Sequence, residues 1–131
     1  MSEDAVVVTA GFNGVLGLSW IEVTGDRVRC TVQIGPEHHQ PAGIVHGGVY
    51  CAIVETLASV GGAAWAGPEW NVVGVNNNTD FLRSVSEGAL SAEALPLHRG
   101  RSQQLWEVTV RDEAARLVAR GNVRLANLMV G

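Results

Sequence analysis

Residues 28–34 alternate without a break. Val28, Cys30, Val32 and Ile34 fall on one side, and Arg29, Thr31 and Gln33 fall on the other. A period of two marks a strand with one buried face. Residues 16–24 read as its partner strand, with Thr24, Gly25 and Asp26 supplying the turn. Two prolines and two glycines make 35–45 a loop. From residue 47 the period changes: Val49, Ile53, Leu57 and Val60 recur at spacings of four and three. Cys51, Ala52, Val54 and Ala58 make the other sides apolar too, so 47 to about 64 reads as a buried helix. Gly61-Gly62 and Gly67-Pro68 are read as its end. Strands follow at 71–81, 88–97, 103–111 and from 117 onward. The fifth puts Gln104, Trp106, Val108 and Val110 on one face. The last turns Leu117, Ala119, Val123 and Leu125 inward and Arg116, Arg120 and Arg124 outward. The order β-β-α-β-β-β-β predicts one antiparallel sheet packed on a single buried helix, an α+β fold.

Bulk properties narrow the setting. The 131 residues make one domain, and 47% hydrophobic against 17% charged residues excludes a disordered chain. No stretch approaches 18 consecutive apolar residues, and the first residues, Met1-Ser2-Glu3-Asp4, are unlike a secretory leader. Two cysteines, Cys30 and Cys51, without such a leader predict a reducing, cytoplasmic setting. A net charge of −4 excludes a general nucleic-acid binder. So much apolar surface in a small chain predicts a homo-oligomer.

The chemistry concentrates at the helix. Glu55 is the one carboxylate in a segment of small and apolar residues, where an unpaired charge costs several kcal/mol. Gly47 and Gly48 open the helix, where backbone N–H groups are unpaired donors that attract negative charge. Cys51, Glu55 and Ser59 repeat at i, i+4 and i+8, which puts them on one stripe. A carboxylate and a helix-start donor suit a reaction that builds charge on a carbonyl oxygen. The competing reading makes Glu55 a structural acid paired with a strand arginine. Cys51, inside an apolar helix, reads as an inert core thiol. Ser59 lacks the Gly-x-Ser-x-Gly elbow of a serine hydrolase. His38, His39, His46 and His98 lack metal-ligand spacing, so no metal is expected. The turn His98-Arg99-Gly100-Arg101-Ser102 gathers charge that suits phosphate.

This element order, with His46-Gly47-Gly48 opening the long helix, resembles the hotdog fold, in which a sheet wraps around that helix. Gln40, His46-Gly47-Gly48, Glu55 and Ser59 together resemble the active-site pattern of PaaI-like acyl-CoA thioesterases, in the 4-hydroxybenzoyl-CoA branch that uses a helix glutamate. The strand Val75-Asn76-Asn77-Asn78-Thr79-Asp80-Phe81-Leu82-Arg83 is similar to that family's third strand, and the likeness spans about residues 12–126 of a single 1–131 domain. The resemblance implies hydrolysis of an acyl-CoA, with an aromatic acyl group favoured. Glu55 would be nucleophile or general base, the Gly47 N–H would polarise the thioester carbonyl, and Gln40 and Ser59 would assist. His46, Gly48, Arg83, Arg99, Arg101 and Ser102 would hold substrate and coenzyme A. Coenzyme A is then part of the substrate and no cofactor is implied. The partner would be a second copy, in a homodimer with shared sites and a dimer of dimers. A non-catalytic acyl-CoA-binding module and a hydroxyacyl-thioester dehydratase are the alternatives.

Overall fold

A computed structural model describes residues 10–130. A five-residue helix, α1 (Phe12–Leu16), leads into β1 (Leu18–Val23) and β2 (Val28–Ile34). After a single 3-10 turn at Pro36–His38 comes α2 (Gly47–Ala66), then β3 (Trp70–Phe81), β4 (Gly88–Arg99), β5 (Gln103–Arg111) and β6 (Leu117–Met129). The six strands form one sheet in the order β1-β2-β4-β5-β6-β3, with every pair antiparallel. The sheet curls around α2, giving the hotdog arrangement expected from the element order.

The core is the inner face of the sheet meeting the helix. Val28, Cys30, Val32 and Ile34 are buried as their alternation requires, and Trp106, Val108 and Val110 face Ile53, Val54, Leu57 and Ala58. In β6 the predicted inward residues Ala119, Val123 and Leu125 are fully buried, whereas Leu117, also expected inward, is only half-buried opposite the exposed Arg111. Val118 is buried as well, because a bulge opposite Val110 and Arg111 takes it out of the alternation.

Several boundaries differ from the sequence reading; β4 runs on through His98 and Arg99, which that reading puts in the turn. Leu16 does not begin the first strand; it ends α1, and Gly17, at φ 74°, turns the chain into β1. Nor does Gly61-Gly62 end α2. The helix runs on to Ala66 and stops at Gly67, whose φ is 88°. A Cβ on Gly61 would stand 2.7 Å from the Trp106 ring, so these glycines admit the sheet to the helix. By length and composition this helix is long and apolar enough to cross a membrane, yet much of it is buried under the sheet. The lead-in expected over residues 1–10 lies almost wholly outside the described residues.

Candidate active site

The stripe Cys51, Glu55 and Ser59 is half-buried and faces β3, an edge strand of the sheet. Glu55 Oε1 accepts a hydrogen bond from Asn77 Nδ2 at 3.1 Å. Among the described residues Oε2 accepts only a long one, 3.5 Å, from the Ser59 hydroxyl. Among the described residues no arginine or histidine pairs with Glu55, so the structural-acid reading finds no support.

A bulge in β3 builds this meeting. Gly74 pairs with Leu125 and Asn76 with Arg124, leaving Val75 as an extra residue. Before it, Val72 and Gly74 face the helix; after it, Asn77 and Phe81 do. Both Gly74 and Asn77 therefore reach Glu55, which strict alternation forbids. A Cβ on Gly74 would overlap Glu55 Oε2. Asn77 and Gly74 are the site residues that sequence reasoning missed. One signal was present: three consecutive asparagines in a strand, a residue type that strands disfavour.

The helix start is organised separately. His46 is the N-cap; its Nδ1 accepts from the Gly48 N–H at 2.7 Å, and its carbonyl accepts from the Val49 N–H at 2.9 Å. Among the described residues the Gly47 N–H has no partner, and the Phe81 ring packs over Gly47. Gly47 and Glu55 are eight residues apart, which is about 12 Å along a helix axis. The two groups therefore stand about two helical turns apart in a single chain.

Gln40 sits in the small hairpin closed by the His39–Val45 bridge. Its side-chain oxygen accepts from the Ala42 N–H, which leaves its NH2 as the free end. Among the described residues Gln40 makes no hydrogen bond with Glu55 of the same chain. Arg99 is engaged internally: it donates to the Gly25 carbonyl and to Asp26, each at 2.7 Å, and lies 5.7 Å over the Trp65 ring. Arg101, Ser102 and Arg83 are exposed, and the Arg101 guanidinium has no acid partner among the described residues.

A thioesterase-superfamily model matches residues 42–119, which include Gly47, Glu55, Ser59, Gly74 and Asn77. The chain belongs to the thioesterase superfamily. It is 52% identical over 124 residues to Rv1847 of Mycobacterium tuberculosis, provisionally named an esterase, covering 92% of this chain and 89% of that one. The solved structure of that protein gives a TM-score of 0.89, over 92% of this chain and 98% of the other, at 51% identity. This thioesterase-superfamily chain is also 35% identical over 101 residues to the proofreading thioesterase EntH of Cronobacter turicensis, covering 77% and 74% of the two. Thioesterase HI1161 of Haemophilus influenzae superposes with a TM-score of 0.88 at 28% identity, over 94% and 86% of the chains.

Proposed function

We propose that this chain hydrolyses acyl-CoA thioesters to the free acid and CoA, with Glu55 as the reacting carboxylate. The observation that carries the reading is a half-open carboxylate with no basic partner among the described residues, held by a neutral amide, in a chain of the thioesterase superfamily. In the nucleophilic course a Glu55 oxygen adds to the carbonyl carbon. The C–S bond breaks with its electron pair leaving on the CoA sulfur, and water cleaves the acyl–Glu55 anhydride. In the general-base course Glu55 takes a proton from the attacking water and returns it to the CoA thiolate. Either way the carbonyl oxygen gains negative charge, and a free helix-start N–H such as that of Gly47 is a preorganised donor for it.

The separation of Gly47 and Glu55 by about 12 Å of helix rise supports a site shared between subunits, with Glu55 from one and Gly47 and Gln40 from its partner. The occupants are then a homodimer, assembled as a dimer of dimers in the cytoplasm, with no metal or cofactor. Arg101, Ser102 and Arg83, open to solvent, would face the CoA phosphates, His46 and Gly48 would shape the carbonyl end, and Arg99 would stay with Asp26. The acyl group is aromatic in this reading. The name of the relative EntH supports a role in clearing misplaced thioesters.

Release of CoA thiol from a panel of aromatic and aliphatic acyl-CoAs tests this, with wild type beside Glu55→Ala. The expected result is turnover by wild type and a loss of at least about 10²-fold in the variant. Full activity in Glu55→Ala would sink the assignment.

A further inference from the structure

We propose that Asn77 is a positioning residue: it holds Glu55 by Oε1 and so commits Oε2, seated against the Gly74 backbone, to the reaction. This deepens the reading of Glu55 as the reacting carboxylate and rests on it. The Asn77 amide is used at both ends. Its Nδ2 donates to Glu55 Oε1 and to the Cys51 carbonyl, each at 3.1 Å, while its Oδ1 accepts from the Thr79 hydroxyl at 2.7 Å. Because the Glu55 carboxylate and the Cys51 carbonyl can only accept, the NH2 end must face them, and the Thr79 hydroxyl then donates to the oxygen. The Cys51 carbonyl lies one turn before Glu55, at the position that pairs with the Glu55 N–H in an α-helix. Asn77 thus grips the carboxylate and the helical turn that carries it together.

The two carboxylate oxygens differ accordingly. Oε1 has a firm partner, whereas Oε2 has only the hydroxyl of Ser59 at 3.5 Å. Beside Oε2 the strand carries Gly74, where any Cβ would overlap that oxygen. Oε2 itself fills the space that a side chain at Gly74 would take, so only glycine there leaves the carboxylate in this position. A neutral amide suits this task better than an arginine, which would orient the carboxylate but also hold its charge and weaken it as base or nucleophile. The β3 bulge at Val75 makes the grip possible; in strict alternation Asn76, which now faces outward, would take the place of Asn77. Among the described residues no other titratable side chain makes a hydrogen bond or ion pair with Glu55 or Asn77; the nearest on the same stripe is Cys51, whose carbonyl Asn77 already holds.

The test is steady-state hydrolysis of the best acyl-CoA by the full chain, with melting temperature, for wild type, Asn77→Ala, Asn77→Asp, Thr79→Val and Glu55→Ala. Loss of orientation predicts that Asn77→Ala lowers kcat about 10²-fold with KM within about threefold. Thr79→Val, one bond further out, lowers kcat about tenfold or less in the same pattern. Asn77→Asp keeps shape but donates only when protonated. Its activity relative to wild type therefore rises as pH is lowered from about 8 to about 5, which a packing role would not produce. The proposal is overturned if Asn77→Ala and Asn77→Asp keep kcat within about twofold while Glu55→Ala collapses. It is equally overturned if the two Asn77 variants lose activity identically at every pH and in step with melting temperature. Full activity in Glu55→Ala is a separate failure, that of the underlying assignment.

Discussion

Cys30 and Cys51 are one residue type with two fates set by position. Cys30 lies in β2 with 1% of its surface exposed, and burial pushes its thiol from the ordinary 9.0 up to about 12. Cys51 is half-buried on the Glu55 stripe and offers its carbonyl to Asn77. The Cys30 shift has a consequence for stability. Between pH 9 and about 12 the unfolded chain loses this proton while the folded chain keeps it, so stability falls as pH rises. Burial raises Tyr50 as well, which acts in the same direction. We expect the melting temperature to decline across that range and Cys30→Val to flatten, without abolishing, the slope. An unchanged slope in the variant would contradict the assignment. Glu55 was legible as a residue because a carboxylate among small apolar side chains stands out in any sequence. Asn77 was not, because the face it occupies depends on a one-residue bulge that composition and period do not reveal.

At the scale of elements, α2 shows why a glycine pair is an ambiguous sign. Read along the chain, Gly61-Gly62 weakens a helix; read across the core, it is where the sheet comes closest. The Trp106 ring and the Leu125 side chain occupy the space that Cβ atoms would need. Trp106 cannot retreat, being fully buried with its Nε1 donating to Gln104 at 2.8 Å. Gly61→Ala gains up to about 1 kcal/mol of helix propensity, but overpacking costs about 1–3 kcal/mol. We therefore expect net destabilisation by about 1 kcal/mol, seen as a lower denaturant midpoint at unchanged slope. A higher midpoint would mean that the core has room to relax.

For the whole molecule, the decisive feature is β3, an edge strand of 12 residues with Val73, Val75 and Phe81 exposed. A long open edge carrying apolar side chains invites pairing with another chain. The same strand carries Gly74 and Asn77, so pairing there would place a partner beside Glu55. A shared site makes a quantitative prediction. Glu55→Ala and Gln40→Ala, each inactive alone, form mixed dimers with one intact and one doubly altered site. Half the dimers are mixed, so co-refolding restores about a quarter of wild-type activity. Activity that stays at the level of the separate variants would place the whole site within one chain.

The sequence by itself determined the strands, the helix and the carboxylate, because these follow from local periodicity and from the cost of charge among apolar neighbours. Alternation showed which face of β2 and β5 is buried, and the charge in an apolar helix singled out Glu55. Only the tertiary structure decided what Glu55 meets. Its partners Asn77 and Gly74 come from a strand that returns after the helix, through a bulge that shifts the alternation by one residue. The fold likewise engaged Arg99 with Asp26 and carried α2 past its glycines, since both outcomes depend on contacts between residues far apart in the chain.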